Sequence, residues 1–321
     1  MTIEQANQYF AALPEGFAPA EELRAALPAA AQQVAYVGVA GTAGKTAAAA
    51  LTAAVLRAAG FVTGLYRAGC EPLEQRARIN GEPVADALLC AAAETLSRAK
   101  PLPHAAAELA AAAACFGAAG CRLAVVELPD AGLAEALSHM PVCVVTSIGP
   151  DGVSRSVERS AALAAGVMRE GAICVTAPEQ PKAALSELIV AAGREDCELV
   201  VPDPDDITFL EAEKFTSRVD YGGYTVPLAF LGRHAAGSAA IAVETALALC
   251  KKGPRHLGRS DPRRPCCRRE PQQHPGAVAA PAHHSGRLPH PAAGHGPAPR
   301  PQYGQGAPSE RRHRPDRGRR R

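Results

Sequence analysis

The chain has 321 residues, of which 47% are hydrophobic and 21% charged, and its formal net charge is +2. This hydrophobic content is enough for a buried core and excludes a chain disordered throughout. The sequence contains no uncharged apolar run of about 20 residues, so we expect no membrane-spanning helix. The N-terminus has neither a basic start nor an apolar run, so we expect no secretory signal. The ten cysteines are therefore expected to be reduced thiols of a cytoplasmic protein, mostly filling the core.

Charge and composition change abruptly near residue 252. Residues 253–321 hold 15 Arg and 4 acidic residues, a net charge of +11, whereas residues 1–252 carry a net charge of −9. The tail also contains 13 of the 28 Pro and no Ile, Phe or Met. Such a segment cannot bury enough apolar surface to offset its chain entropy. We therefore expect an ordered domain over 1–252 and a disordered, basic tail over 253–321.

Three origins of this tail remain open. It is a basic arm for nucleic acid or an anionic membrane, an inert extension, or a different reading frame of a GC-rich gene. The third is favoured, because Arg, Pro, Gly, Ala and His account for 52 of the 69 tail residues, as out-of-frame GC-rich codons would give.

Strands and helices alternate along the first 252 residues. Short apolar runs predict buried strands at 34–40, 61–66, 123–128, 142–146, 172–175 and 199–201. Good helix formers with apolar spacing near 3.6 predict helices at 3–13, 20–29, 45–59, 84–118 with a break at Pro101 and Pro103, 131–138, 155–169, 181–193 and 235–251. Residues 206–228 read as short β segments with a turn at Gly222-Gly223. This order predicts an α/β fold, a parallel sheet with helices on both faces.

A glycine-rich loop lies between the first strand and the helix that follows it. The segment GVAGTAGKT covers residues 38–46 and places its glycines where a backbone can approach phosphates, at the N-terminus of a helix. In such a loop Lys45 contacts the β- and γ-phosphates and Thr46 offers a hydroxyl to Mg²⁺. The alternative is an ordinary glycine turn that starts a helix. The strand–loop–helix context favours the phosphate loop.

This loop resembles that of the Mur ligase superfamily, usually GTNGKT. The wider pattern is similar to the folylpolyglutamate synthase/dihydrofolate synthase branch, whose central domain is a P-loop NTPase-like sheet. Further similar segments follow in order across residues 1–252, among them RARINGEPV at 76–84, LAVVEL at 123–128 and VVTSIGPD at 144–151. No single piece except the loop is specific, but the series is colinear.

The resemblance implies an ATP-dependent ligase that joins glutamate to a folate-type carboxylate through an acyl phosphate. It implies ATP and Mg²⁺ as cofactors, Lys45 as the catalytic residue, and Thr46 and Glu127 as metal ligands. The implied ATP-binding residues are Gly41, Thr42, Ala43, Gly44, Lys45, Thr46 and His234. It gives no oligomeric state and no membrane partner.

Several family positions differ in this chain. The loop asparagine is Ala43, the serine-containing TSPHL segment is replaced by residues 67–71, the metal-binding histidine corresponds to Gly152, and the carbamylated lysine to Ala164. In the HQxxNA motif only His234 remains, with Ala235 and Ser238 in place of the two amides. The DGAHN motif of the family's C-terminal domain is not found, and the basic tail follows instead. These departures predict impaired catalysis.

Two other functions remain open. One is a nucleotide-binding module without catalysis. The other is a nucleic-acid-binding protein that acts through the arginine-rich tail, although Tyr303 is the tail's single aromatic residue, so base stacking has little support.

Overall fold

The computed structural model of the chain describes residues 1–69, 71–137, 139–150, 156–211, 217–228 and 235–253. Within these ranges the helices alternate with strands. The α-helices are α1 (Ile3–Ala11), α2 (Ala20–Ala26), α3 (Ala29–Gln32), α4 (Lys45–Ala58), α5 (Leu73–Arg76), α6 (Asp86–Ser97), α7 (His104–Ala118), α8 (Val157–Ala164), α9 (Lys182–Arg194) and α10 (Ala236–Lys252). The strands are β1 (Ala35–Ala40), β2 (Thr63–Tyr66), β3 (Ala77–Ile79), β4 (Glu82–Pro83), β5 (Leu123–Glu127), β6 (Val142–Val145), β7 (Ile173–Thr176), β8 (Glu198–Val200), β9 (Ile207–Glu211), β10 (Ser217–Tyr221) and β11 (Tyr224–Leu228).

The main sheet has eight strands in the order β4-β3-β2-β5-β1-β6-β7-β8. The six strands from β2 to β8 in this order run parallel, and the β3–β4 hairpin adds two antiparallel strands at one edge. Strands β9, β10 and β11 form a separate antiparallel sheet. The expected α/β fold with a largely parallel sheet is therefore confirmed.

Helices cover both faces of the main sheet, and every residue of β1 is buried. On one face, α1, α2, α3, α6 and α7 contribute to the larger hydrophobic core, together with α8 and α9. On the other face, α4 and α10 pack on the inward-facing valines of β1, β5 and β6. The short apolar runs in the sequence are explained by this two-sided burial.

The sequence analysis missed the β3–β4 hairpin. Its strands have only three and two residues, too short to show an alternating pattern. Asn80 and Gly81 form its turn, both with positive φ, at 53° and 90°. This is the conformation that two-residue hairpin loops require and that Asn-Gly provides.

Two predicted helices are wholly or partly 3₁₀, and the helix predicted at 20–29 ends at Ala26, before Pro28. The segment predicted as a helix at 131–138 is a 3₁₀ helix at Ala131–Ala136, where the Asp130 side chain accepts from the Gly132 amide at 2.9 Å. The helix predicted at 155–169 is α8, which passes into a 3₁₀ turn at Ala165–Val167. An interior glycine in each 3₁₀ segment weakens the α-helix.

None of the seven described cysteines is in a disulfide, and five of them are buried, so most of them fill the core as the sequence predicted. Among the described helices, none is both apolar enough and long enough to cross a bilayer. The predicted domain boundary at residue 252 remains a prediction, because residues 254–321 lie outside the described ranges.

Two helical glycines give a matched test of the packing. A Cβ at Gly117 in α7 would lie 2.5 Å from backbone atoms of Ala30 and Ala31, whereas a Cβ at Gly193 in α9 would meet nothing within 4 Å. We expect Gly117→Ala to lower the free energy of unfolding by about 1–3 kcal/mol through overpacking. Gly193→Ala should raise it by about 0.5–1 kcal/mol, because alanine favours the helix.

Urea unfolding of the two variants beside the unchanged chain measures both effects. Equal effects of the two substitutions would contradict the close approach of α7 to α3.

Candidate nucleotide-binding site

The loop between β1 and α4 needs glycine at two positions. Gly41 has φ of 130°, and a Cβ there would lie 2.3 Å from Thr146 Oγ1 at the end of β6. Gly44 has φ of 82° and directly precedes α4. Both conformations are unfavourable for other residues, so the spacing of the glycines is set by the path of the loop.

The first half of the loop is bound to the segment that follows β6. The amides of Thr42 and Ala43 each donate to the Ser147 carbonyl at 3.2 Å, and Thr42 Oγ1 donates to the same oxygen at 2.9 Å. The Gly149 amide in turn donates to Thr42 Oγ1 at 2.8 Å. In this conformation Thr42 and Ala43 therefore anchor the loop, and their amides point to protein rather than to a ligand.

The second half of the loop leaves the N-terminus of α4 open. No side chain caps this helix, and the amides from Gly44 to Ala47 donate to no group in the described part of the chain. Ala43, Gly44 and Thr46 are exposed. Unpaired amides and the partial positive charge of a helix N-terminus together favour an anion at this position.

Lys45 lies at the open end of α4 with its side chain folded back over the loop. Its Nζ donates to the Gly41 carbonyl at 2.9 Å, and it forms no ion pair within 4 Å with a carboxylate of the described residues. The side chain is only half-buried. The ammonium group therefore lacks a counter-charge in direct contact and can turn towards an anion at the helix end.

Thr46 and Glu127 come together although 81 residues separate them in sequence. Strand β5 runs beside β1, with Glu127 in register with Val39, so the last residue of β5 reaches the start of α4. Thr46 Oγ1 donates to Glu127 Oε2 at 3.0 Å. The carboxyl end of a parallel sheet thus brings a hydroxyl and a carboxylate to one point beside the loop.

Glu127 is 5% exposed, and burial raises the pKa of its carboxyl group. The Thr46 hydroxyl, the Lys45 charge, the Ala68 amide and the Arg67 charge each act in the opposite direction without cancelling the effect of burial. A buried carboxylate whose charge is incompletely offset favours a cation in contact with it.

A cleft of about 710 Å³ opens beside the loop. Its walls come from the carboxyl ends of β6 and β7, from β9 and from the start of α10. Ser238 of α10 lies on this wall, and a Cβ on Gly44 would be 3.9 Å from its Oγ. Ser238 therefore faces the glycine-rich loop.

Gln180 was missed by the sequence analysis, yet it fixes one wall of the site. Its Nε2 donates to the Thr146 carbonyl at 2.9 Å and to Thr176 Oγ1 at 2.8 Å, and its Oε1 accepts from the Ile148 amide at 3.0 Å. Gln180 thereby holds the 146–148 segment that binds the loop. Its position just after β7 is the sequence signal that could have indicated it.

The structure brings together seven of the eight residues predicted for the site. These are Gly41, Thr42, Ala43, Gly44, Lys45, Thr46 and Glu127. The eighth, His234, lies outside the described residues, as does Gly152. The roles of all eight in binding remain predictions.

Similar solved structures are folylpolyglutamate synthases. The Lactobacillus casei folylpolyglutamate synthetase is 22% identical with a TM-score of 0.67, over 80% of this chain and 70% of that one. A folylpolyglutamate synthase complex with AMPPCP and folate is 22% identical in sequence, with a TM-score of 0.68, over 80% of this chain and 70% of that one. The Mycobacterium tuberculosis folylpolyglutamate synthase with ADP is 21% identical in sequence, with a TM-score of 0.66, over 78% of this chain and 62% of that one.

Protein-family models give no match to this chain, and the curated proteins include no significant sequence relative. The likeness to solved structures therefore establishes the fold. The described domain has the Mur ligase/folylpolyglutamate synthase fold that the sequence resemblance predicted.

Replacing Glu127 tests the electrostatics of the site. Because burial raises the Glu127 pKa, the ionised carboxylate destabilises the ligand-free protein at neutral pH. We expect Glu127→Gln to raise the free energy of unfolding at neutral pH. The gain should shrink as pH falls through the raised pKa of Glu127 towards the ordinary carboxyl range, where the wild-type side chain is protonated.

Urea unfolding at neutral and acidic pH measures this difference. Glu15→Gln, at an exposed loop position, is the matched control and should have little effect. A destabilising Glu127→Gln substitution at neutral pH would contradict the analysis.

Proposed function

We propose that this chain binds ATP with Mg²⁺ at the Lys45 loop and is a folate-type ligase with impaired turnover. The observation that supports this most directly is the 3.0 Å hydrogen bond from Thr46 to Glu127. It lies beside the uncapped N-terminus of α4 and the Lys45 ammonium. An ordinary glycine turn requires neither a buried carboxylate at the helix start nor a lysine beside it that forms no direct ion pair with a described carboxylate.

The groups at the loop match the charge of a nucleoside triphosphate. The amides of Gly44, Lys45 and Thr46 and the dipole of α4 favour the phosphates, and the Lys45 ammonium neutralises the β- and γ-phosphates. The 710 Å³ cleft is of a size typical of ligand pockets. Solved structures with the same fold contain AMPPCP and ADP.

Magnesium fits the Thr46–Glu127 pair. A hydroxyl and a carboxylate oxygen are hard ligands of the kind this ion prefers, and it is commonly held by one or two protein groups together with substrate phosphates. The described residues contain no cluster of three or more His, Cys, Asp or Glu side chains suited to a metal, so the phosphates would complete the site. When bound, Mg²⁺ supplies further charge neutralisation on the transferring phosphoryl group.

The reaction proposed is the activation of a carboxylate followed by amide formation. An oxygen of the substrate carboxylate attacks the γ-phosphorus of ATP and ADP leaves, giving an acyl phosphate. The amine of glutamate then attacks the acyl carbon, phosphate leaves, and the amine proton is lost to solvent. During the phosphoryl transfer, Lys45 and the α4 amides stabilise the charge of the transferring phosphoryl group.

A folate-type carboxylate is proposed as the acceptor. The support is the sequence resemblance to the folylpolyglutamate synthase branch and the shared fold, one of whose solved structures is a complex with AMPPCP and folate.

Impaired turnover is proposed from the substituted family positions. Ala43 and Ala164 cannot supply the polar groups of asparagine and lysine, and Gly152 cannot supply a histidine. Each lost partner of an ion weakens its binding by about 1.5–3 kcal/mol. Several such losses together lower the rate by about 10³-fold or more, at about 1.4 kcal/mol for each factor of ten.

Nucleotide titration of the full chain tests the binding site. We expect ATP with Mg²⁺ to bind and Lys45→Ala to weaken binding at least about tenfold, because a charge-assisted contact with phosphate is lost. Lys100→Ala is the matched control, since Lys100 forms an exposed ion pair with Glu22 on the surface and should leave affinity unchanged. Equal affinity in Lys45→Ala would overturn the proposed site.

Phosphate release tests the reaction. With ATP, glutamate and either tetrahydrofolate or dihydropteroate, we expect release about 10³-fold slower than in the Lactobacillus casei enzyme, and slower still in Lys45→Ala. A rate equal to that of the Lactobacillus casei enzyme would refute the proposed impairment. ATP binding without any acceptor-dependent release would favour the non-catalytic nucleotide-binding module.

A further inference from the structure

A groove of about 290 Å³ lies between α4 and the strands β2 and β3. It is separate from the 710 Å³ cleft, with which it shares no lining residue. One wall consists of the small side chains of Ala50, Ala53 and Ala54 on α4. Because these alanines fill little space, the face of the sheet beyond α4 stays open there.

Three arginines line this groove, one from each neighbouring element. Arg57 lies in the last turn of α4, Arg67 directly follows β2, and Arg78 lies in β3. Arg78 is in register with Leu65, and Leu65 and Arg67 lie on the same side of the sheet because strand side chains alternate. The fold therefore directs residues 57, 67 and 78 to one groove.

These arginines carry charge without a direct counter-charge. None of the three forms an ion pair within 4 Å with a carboxylate of the described residues, and no acidic residue lines the groove. The neighbouring Arg76 differs, since it is 2% exposed and paired with Glu108. The ion pair with Glu108 compensates for the burial of the Arg76 charge. The groove arginines form no such ion pair with a described carboxylate.

Most of the guanidinium donors form no hydrogen bond with the described residues. Arg57 donates to the Asn80 carbonyl at 3.1 Å, Arg78 to the Gly81 carbonyl at 2.9 Å and Arg67 to the Gln75 carbonyl at 3.3 Å. Each guanidinium has five N–H donors. Arg67 Nε is shielded from solvent and has no hydrogen-bond partner among the described residues. The carbonyl contacts hold the arginines in place, and the free donors are left for a ligand.

We propose that this groove binds a small oxyanion carrying two or more negative charges. Guanidinium groups bind phosphate and carboxylate oxygens through paired hydrogen bonds, and three of them supply the charge for a polyvalent ligand. The volume of about 290 Å³ is near the lower end for ligand pockets, which favours a diphosphate or a small di- or tricarboxylate. The inference does not depend on ATP binding at the Lys45 loop.

Calorimetric titration of the full chain with inorganic pyrophosphate and, separately, with citrate tests the proposal. We expect at least one of them to bind, and the affinity to fall at least about tenfold in the Arg57→Gln/Arg78→Gln variant, through lost charged hydrogen bonds. Binding of pyrophosphate alone identifies a phosphate ligand. Binding of citrate identifies a carboxylate ligand.

Two controls locate the binding event. Arg194→Gln removes an exposed arginine at the end of α9 and should leave the affinity unchanged. Because the Lys45 loop is itself proposed to bind phosphates, pyrophosphate is also titrated into Lys45→Ala, where binding at the groove should remain. If the double variant fails to show a cooperative thermal transition, Ala54→Glu introduces a repelling carboxylate without removing an arginine and should produce the same loss.

Absence of binding by either probe at millimolar concentration would overturn the proposal. Binding that is lost in Lys45→Ala but unchanged in the arginine variant or in Ala54→Glu would also overturn it, since the anion would then lie at the loop.

Discussion

The site depends on one short loop held between two strands. Towards β6, Gly41 approaches Thr146 so closely that a Cβ would lie 2.3 Å from its Oγ1, and the Ser147 carbonyl accepts two loop amides. Towards β5, Thr46 binds Glu127. Since β1 lies between β5 and β6 in the sheet, its loop meets both neighbours at their carboxyl ends. This double attachment fixes where α4 begins and where its free amides point.

The electrostatics follow from that attachment. Positive charge comes from the α4 amides and Lys45, and the buried Glu127 carboxylate lies beside them in contact with Thr46. A triphosphate with its metal ion carries both signs of charge and complements this arrangement. The same elements form the proposed groove, because the last turn of α4 carries Arg57 and the end of β2 leads directly into Arg67.

Much of this architecture is predictable from sequence, and the reasons are local. The β1 run and the glycine spacing around Lys45 indicate strand, loop and helix, and the position of Glu127 at a strand end places it at the same edge. Other features depend on tertiary contacts. Gln180 bridges two strand ends, and Thr42 uses its amide to anchor the loop. The β3–β4 hairpin is too short for a periodic signal, so the arginine groove could not be foreseen.

The most direct test is a crystal structure of the chain with Mg²⁺ and a non-hydrolysable ATP analogue. The account predicts the phosphates against the amides of Gly44 to Thr46, with Lys45 Nζ turned from the Gly41 carbonyl to a phosphate oxygen. Metal density should contact Thr46 and Glu127. Phosphates bound elsewhere on the domain, with the α4 N-terminus left empty at saturating analogue, would contradict it.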